Sequence, residues 1–366
     1  MLVDLDYFFA QCEERRNPSI KDRPVVVCVY SGRTEDSGAV STANYIARKY
    51  GVSSGIPIFM AKRKLKEVDA VFLPVDHTFY EEVSGNVMRI FGSYADSFEQ
   101  VGIDEAYLDV TQRVKGDFRA AEELAQKMKE EAKAREGLTC SIGVGPNKLV
   151  AKIAASFQKP DGLTIVKPED VEMFLGPLPV SRLIGVGKKT EYRMKFMRIR
   201  TIGDLARYDV QRLVEVFGRS LGSYFHNASH GMDETPVRER GEAESISRIT
   251  TLKKDTRDLG IVIERADQLC EDIHAKLLQK GVSFKSVAVI AILTDMKIRS
   301  RSVTLENPTN DLQILKETVN SLIGKLLAQM ELDLRRIGVK VSDFVRGQNT
   351  QKHLTDFTGY PSFGDP

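Results

Sequence analysis

The feature that most constrains this chain is a change of rhythm. Through Lys167, strand-like apolar runs alternate with helical stretches; the strands then stop, and alternation resumes at Ile246. "MLVDLDYFFA" reads as a strand running into a helix start. "RPVVVCVY" is a buried strand, "GAVSTANYIARKYGV" turns from extended to helical, and "IPIFMAKRKL" is helical. "AVFLPV" is a strand, and "HTFYEEVSGNVMRIFGSYA" has apolar spacings of three and four, the mark of a helix. Strands "SFEQVG" and "EAYLDV" follow, then helix "FRAAEELAQKMKEEAKAREG", strand "LTCSIGVG", helix "NKLVAKIAASFQK" and a "KPDG" turn into "LTIV". This alternation with hairpins predicts an α+β sheet domain carrying an inserted helical unit. Residues 168–231 read as short helices broken by "GVG" and "FGRSLG", and the charged "GMDETPVRERGEAES" as an exposed linker. From Ile246 the order βαββαβ predicts a second, compact split-βαβ sandwich.

Composition narrows the function classes. At 366 residues the chain has room for two to four compact units, taking roughly 100–200 residues per domain. No apolar run reaches the roughly 18–20 residues that span a bilayer, and no signal peptide is recognisable, so a cytoplasmic protein away from membranes is expected. Cys12, Cys28, Cys140 and Cys270 are far apart in apolar surroundings, which suits buried thiols in a reducing compartment. His226 and His230 have helical spacing but no third ligand nearby, so a zinc enzyme is not expected.

Two acidic sites stand out. In a strand, Asp4 and Asp6 share a face, and carboxylates there are costly without compensation unless the strand end is solvated. In "VGIDEAYLDV", Asp104 and Glu105 would point apart in a regular strand, but hairpin geometry can turn both toward one point. Beside the strand carrying Asp4, they would put three carboxylates around one small volume. Their mutual repulsion is relieved by divalent cations, and hard oxygen ligands with positions left for phosphate suit Mg²⁺. Two such ions are the usual arrangement for in-line displacement at phosphorus. Asp4 then reads as a shared ligand, while Asp6 either caps the following helix or supports the ligands from behind.

A site handling nucleotides also needs cations. "TANYIARKYG" supplies Thr42, Tyr45 and Arg48, the last two on one helical face, and "SIGVGPNKLVAKIAASFQKPDG" supplies Lys148, Lys152 and Lys159. The net charge of +2 conceals an uneven distribution. From Arg182 to Arg200, Arg182, Lys188, Lys189, Arg193, Lys195, Arg198 and Arg200 face only Glu191, which points toward a phosphate partner.

Taken in order, "DLDYFFAQCEE", "SGAVSTANYIARKYGV", "IDEAYLDV", "SIGVGPNKLVAKIAASFQKPDG" and "RRIGVKVSDF" resemble the Y-family DNA polymerases, in particular the archaeal DinB (polymerase IV-like) lesion-bypass enzymes. The resemblance spans nearly the whole chain. It implies a multidomain right-hand polymerase: a ferredoxin-like palm (1–10 and 76–166), small fingers (11–75), a helical thumb with a helix-hairpin-helix (167–231), a linker (232–244), a βαββαβ little finger (245–345) and a flexible tail (346–366).

It further implies that Asp4, Asp104 and Glu105 are the catalytic metal ligands, completed by the Leu5 carbonyl, and that two Mg²⁺ serve each site, with Mn²⁺ able to substitute. Phe8, Phe9, Thr42, Tyr45, Arg48 and Lys159 would meet the incoming nucleotide, with Phe9 as the steric gate against a ribose 2′-hydroxyl. Val29, Ala39 and Ser41 would lie near the nascent base pair. The family usually has Ser where this chain has Gly102, which removes any hydroxyl role there.

DNA contacts are expected from Gly185, Gly187, Lys188 and Lys189 in "LIGVGKKT", and from Arg219 in "VFGRSLG", a second and weaker turn of the same kind. For each turn a plain helix connection remains the alternative. Lys152, Arg248, Arg299, Arg301, Arg335 and Arg336 join them, with Lys253 and Lys254 as further candidates. In the tail, Gln351, Leu354 and Phe357 have the spacing of a peptide that binds a PCNA-type sliding clamp, although Thr358 stands where a second aromatic is usual.

The implied function is low-fidelity, template-directed DNA synthesis past lesions by a monomer, from dNTPs on primer–template DNA. No second acidic cluster suggests a proofreading nuclease. A nucleotidyl cyclase with similar carboxylates, or a non-catalytic DNA-binding scaffold, are the alternatives; neither accounts for the triad, the hairpin turn and the clamp peptide together.

Overall fold

The structure is a computed structural model and describes residues 1–239, 241 and 244–346. The chain divides into two units, one of Met1–Val29 with Ala39–Gly241, the other of Tyr30–Gly38 with the chain from Glu242 on.

The first unit begins with β1 (Leu2–Leu5), α1 (Phe8–Arg16), β2 (Val25–Tyr30) and β3 (Gly38–Ala43), the last residue of β2 and the first of β3 being counted with the second unit. It continues with α2 (Tyr45–Lys49), α3 (Ile58–Lys64), β4 (Val71–Pro74), α4 (His77–Ser93) and β5 (Ser97–Gln100). Next come β6 (Glu105–Asp109), α5 (Phe118–Glu136), β7 (Cys140–Val144), α6 (Lys148–Ala155) and β8 (Leu163–Ile165). Five strands form one sheet in the order β5-β6-β1-β7-β8. Both chemically interesting strands are therefore neighbours, β1 antiparallel to β6 on one side and to β7 on the other.

Alternation along β1 sends Val3 and Leu5 into a core with α1, α4 and α5, while Leu2 packs on the other face with Tyr107, Ala151 and Ala155. Helix α6 lies flat on that second face because Gly143 has no side chain: a Cβ there would come within 2.0 Å of the Ala151 carbonyl oxygen and 2.3 Å of the Ala155 nitrogen. A smaller sheet, β3-β2-β4, with β2 parallel to β4, packs against α2 and α3 around Val26, Val40 and Ile58.

The strandless stretch is helical, as its pattern predicts: α7 (Val171–Leu175), α8 (Lys188–Phe196), α9 (Ile202–Ala206), α10 (Val210–Phe217) and α11 (Arg219–Ser229). They close around Leu175, Met194, Leu205, Leu213 and Phe225. In "VFGRSLG", Gly222 lets α11 pack on α10, since a Cβ would sit 2.6 Å from the Val214 Cα. This turn serves helix packing.

The charged segment after Gly231 is mostly exposed, as its composition predicts, but it is strapped down rather than loose. Asp233 accepts from the Leu149 amide (3.1 Å), the Arg238 amide donates to Glu99 (3.1 Å), and Val237 lies against the Leu2–Tyr107 cluster.

In the second unit, β9 (Ser245–Thr256), α12 (Leu259–Lys280), β10 (Val282–Leu293), β11 (Ile298–Thr309), α13 (Leu312–Leu327), β12 (Leu334–Ser342) and the short β13 (Val345–Arg346) realise the expected βαββαβ order. The main sheet runs β11-β10-β12-β9, with β13 pairing β10 at one end. Both helices bury one sheet face around Phe284, Val289, Ile323 and Val339. Arg33 belongs to this unit, pairing with Asp255 at 2.5 Å.

Candidate active site

Register decides the site. Asp4 stands directly opposite Glu105 across the β1–β6 ladder, on the face that α6 covers further along. The Leu5 amide donates to the Asp104 carbonyl at 2.8 Å, which ties the hairpin carrying Asp104 to the end of β1. Asp104 and Glu105 are both half-buried there. Burial raises the Asp4 carboxyl above its ordinary value; Lys159 opposes this, and the negative charges of Asp104 and Glu105 add to it. Asp104 is raised too, by burial first and by Glu105 among its charged neighbours. Three carboxylates thus sense one another within a partly desolvated volume.

Lysines balance them. Lys159 pairs with Asp4, and Lys152, projecting from α6, reaches Glu105 at 2.5 Å. Lys152, expected among the DNA contacts, thus lies at the acidic site. With these partners in place, no three metal-binding side chains among the described residues ring a common point. The donor set nevertheless suits a hard divalent cation: it offers oxygen ligands only, and the raised carboxyls of Asp4 and Asp104 are ones a cation would bring down. Gly102 sits against the site, where a Cβ would lie 3.2 Å from an Asp104 carboxylate oxygen.

Asp6 takes one of its two predicted roles. It is fully buried and accepts from the Thr139 hydroxyl (3.0 Å), the Ser141 hydroxyl (2.8 Å) and the Asp161 amide (2.8 Å). The helix that follows is entered through Tyr7 with no side-chain cap, so Asp6 is a support and not an N-cap. It anchors the "KPDG" turn that carries Lys159. Lys129 holds the same turn, donating to the Gly162 carbonyl (3.0 Å) and pairing with the Asp161 carboxylate (2.8 Å).

The nucleotide-side residues fall around α1 and α2. Phe9 is partly exposed and stacks on Tyr80, with centroids 4.3 Å apart and planes at 18°. Phe8 is 2% exposed and belongs to the core, so its side chain is not available to a nucleotide; its place one residue along the helix turns it inward. Tyr45 meets Tyr7 edge-on at 5.3 Å, and the Arg48 guanidinium lies 4.7 Å over the Tyr45 ring. Burial, then the nearby Asp6 charge, keeps the Tyr45 hydroxyl above its usual range. Thr42, Ala39 and Ser41 lie half-buried along β3, and Val29 is exposed at the end of β2. Lys148 is spoken for, bidentate to Glu99 at 2.7 and 2.9 Å.

Sequence reasoning missed Tyr7, Asn44, Tyr80 and Lys129. Asn44 caps α2 at the Ala47 amide (2.9 Å) and also donates to Glu14 (2.8 Å), so it positions both Tyr45 and Arg48. Its place just before a helical run was the available signal; Tyr80 and Lys129 left none.

Gly185, Gly187, Lys188 and Lys189 form an exposed turn leading into α8, and Arg219 is exposed at the start of α11. In the second unit the arginines do not share a face. Arg248 pairs with Val339, Arg299 with Ala291 and Arg301 with Val289, all on the side that the helices cover. Arg301 donates to Gln329 there (2.7 Å). Arg336 stands on the opposite, open face, opposite Thr251 and in line with Lys340. Period-two alternation separates them, because residue parity rather than charge decides the face. Arg335, at a register shift, approaches Asp255 at 4.0 Å. Lys253 and Lys254 are exposed on β9. The clamp-peptide residues Gln351, Leu354 and Phe357 lie outside the described residues.

Comparison with known proteins agrees with this arrangement. The impB/mucB/samB family matches residues 3–156, its C-terminal domain residues 243–354, and the DNA polymerase-iota thumb domain residues 181–233. DNA polymerase IV of Nitrosopumilus maritimus is 48% identical over 97% of this chain and 98% of its own length. DNA polymerase IV 1 of Methanosarcina mazei is 43% identical at the same two coverages. Among solved structures, a Y-family polymerase chimera of Dbh and Dpo4 superposes with a TM-score of 0.89 at 35% identity, covering 94% of this chain and 99% of that one.

The fold is that of a right-hand nucleotidyl-transferring polymerase. The chain belongs to the Y family of DNA polymerases, in its DinB-like branch, and is a translesion DNA-directed DNA polymerase. The cyclase and scaffold alternatives are not favoured. An insertion ternary complex of Dbh DNA polymerase also matches, with a TM-score of 0.69 at 34% identity over 94% of this chain and 99% of that one. Enzymes of this class depend on a metal, and among the described residues no helix is long and apolar enough to cross a membrane.

Proposed function

We propose that Asp4, Asp104 and Glu105 hold two Mg²⁺, or Mn²⁺ in their place, for transfer of a dNMP from dNTP to a primer 3′-hydroxyl with release of pyrophosphate. The observation that carries this is the register placing Asp4 opposite Glu105, with Asp104 tied to β1 by its backbone. The metals supply charge neutralisation at the phosphates and a more acidic nucleophile. The Leu5 carbonyl, at the strand end beside Asp104, is the remaining oxygen suited to one of them.

The chain's own residues do the positioning. Lys159 exchanges its Asp4 partner for triphosphate oxygens when the carboxylate takes up a cation. Tyr45 and Arg48, held by Asn44, donate to the same phosphates, and Thr42 lies on the strand leading to them. The Phe9 ring blocks a ribose 2′-hydroxyl. A pocket bordered by Val29, Ala39 and Ser41 discriminates weakly, which accounts for low fidelity.

The sheet with α1, α4, α5 and α6 acts as palm, the small sheet as fingers, α7–α11 as thumb and the second unit as little finger. Primer–template phosphates are taken by the Gly185–Lys189 turn, aided by Arg219, and by Arg336 and Lys340 on the open sheet face, so binding weakens with salt. We assign the tail peptide at Gln351, Leu354 and Phe357 to a PCNA-type clamp. The enzyme is read as a cytoplasmic monomer.

Primer extension with Mg²⁺ tests the assignment. Wild type extends with dNTPs, Asp104→Ala does not, and Phe9→Ala alone gains ribonucleotide incorporation. Extension by Asp104→Ala at the wild-type rate would refute it.

A further inference from the structure

Beyond the Gly185–Lys189 turn, helix α8 carries two aromatic rings that the polymerase chemistry does not use. Tyr192 is 66% exposed and Phe196 78% exposed, one helical turn apart, with ring centroids 5.5 Å apart. Single exposed apolar side chains are ordinary, but two large rings in contact form a contiguous apolar patch, the kind of surface that marks an interaction site. Around them stand Lys188, Lys189 and Arg193, all exposed and without an ion pair among the described residues. The single acid of the helix, Glu191, is occupied by Lys195 at 2.8 Å. Helical spacing aligns Lys188, Tyr192 and Phe196 in one stripe, with Lys189 and Arg193 along its flank.

We propose that this face binds single-stranded DNA. Cations alone would suit any polyanion, and the Gly185–Lys189 turn needs no aromatic group to meet duplex phosphates. Two exposed rings add a preference. In a duplex the base faces are already stacked on one another, whereas an unpaired strand presents them free. Base faces on Tyr192 and Phe196, with the intervening phosphates on Lys189 and Arg193, is the pattern of sequence-tolerant single-strand platforms. The charge complementarity of the stripe selects a nucleic acid over an apolar protein partner.

The chain contains no tryptophan, so Phe196→Trp places a unique fluorophore in the stripe. Titration of the full-length variant with oligo(dT), without dNTPs or metal, is expected to quench that fluorescence; a blunt duplex at equal phosphate concentration is expected to quench much less. In parallel, Tyr192→Ser/Phe196→Ser is expected to bind labelled oligo(dT) about tenfold more weakly by anisotropy, with unchanged blunt-duplex affinity and thermal midpoint. Both side chains are solvent-facing, so the fold should tolerate the change. Equal quenching by duplex and single strand overturns the proposal, as does wild-type oligo(dT) affinity in the double variant. Neither readout uses nucleotide addition, so the proposal and the catalytic assignment fail independently.

Discussion

Phe9 lies flat on Tyr80, ring centroids 4.3 Å apart, and the Tyr80 hydroxyl is fixed by a 2.6 Å hydrogen bond to the buried Glu13. The gate proposed at Phe9 blocks a hydroxyl only if its ring cannot yield, and the backing is a second ring held by a carboxylate from the same helix as Phe9. Tyr80→Leu should therefore raise ribonucleotide incorporation roughly tenfold while leaving dNTP use within a few-fold of wild type, because the gate is displaced and not removed. The ratio of kcat/KM values for rNTP and dNTP measures this. Tyr80→Phe, which keeps the stack, should give a smaller change.

Asp6 governs a different part of the site. Three donors converge on its buried carboxylate, one of them the amide of the turn that presents Lys159. Asp6→Ala strands those donors and should cost about 3 kcal/mol of stability in denaturant melts. Where the variant still folds, the KM for dNTP should rise, since the turn that aims Lys159 loses its anchor. An unchanged KM would mean that Lys129 holds the turn alone.

Asp104 should behave in the opposite sense. Burial raises its carboxyl, so keeping the charged form in the fold costs free energy when no cation is bound. Asp104→Asn should make the metal-free protein more stable, by about 1 kcal/mol, while abolishing primer extension. Calorimetry in EDTA reads the first effect and a primer-extension gel the second.

Alkaline pH should expose the buried thiols. Burial pushes the Cys12, Cys140 and Cys270 thiols up to about 12, so the folded protein keeps protons that the unfolded chain begins to lose near pH 9. More protons on the folded state means that stability falls as pH rises between these values, by up to about 1.4 kcal/mol per pH unit for each thiol. Denaturant midpoints between pH 9 and 11 should fall more gently in Cys140→Ala, and native thiols should resist alkylation at pH 8.

At Gly143 a methyl group would collide with the backbone of α6, so Gly143→Ala must lift that helix, and Lys152 with it, off the sheet. The expected result is a loss of at least about 2–3 kcal/mol, seen as a lowered thermal midpoint.

Much of the candidate site was legible in the chain because its chemistry is local. Asp4, Asp104–Glu105 and the "KPDG" lysine stand in short segments whose residue types carry their meaning, and β1 beside a hairpin is what alternation predicts. Where reading stopped, long-range partners were decisive. Tyr80 and Lys129 are ordinary residues of amphipathic helices until folding places one under Phe9 and the other against the Asp161 turn. Phe8 and Phe9 are identical in kind and adjacent; which faces the core depends on how α1 packs. Charge alone groups the arginines of the second unit together, but pairing register puts Arg248, Arg299 and Arg301 on the covered face and Arg336 on the open one.

The sequence by itself determined the two α+β units and the helical stretch between them, because hydrophobic period and glycine turns act over a few residues, and it singled out the acids as candidates. Only the tertiary structure decided that Asp4 faces Glu105, that Lys159 and Lys152 neutralise them, and that Asp6 supports from behind. Those relationships join segments up to 155 residues apart in the chain, as Asp6 and Asp161 are, and a strand register or a helix face is set by what packs against it.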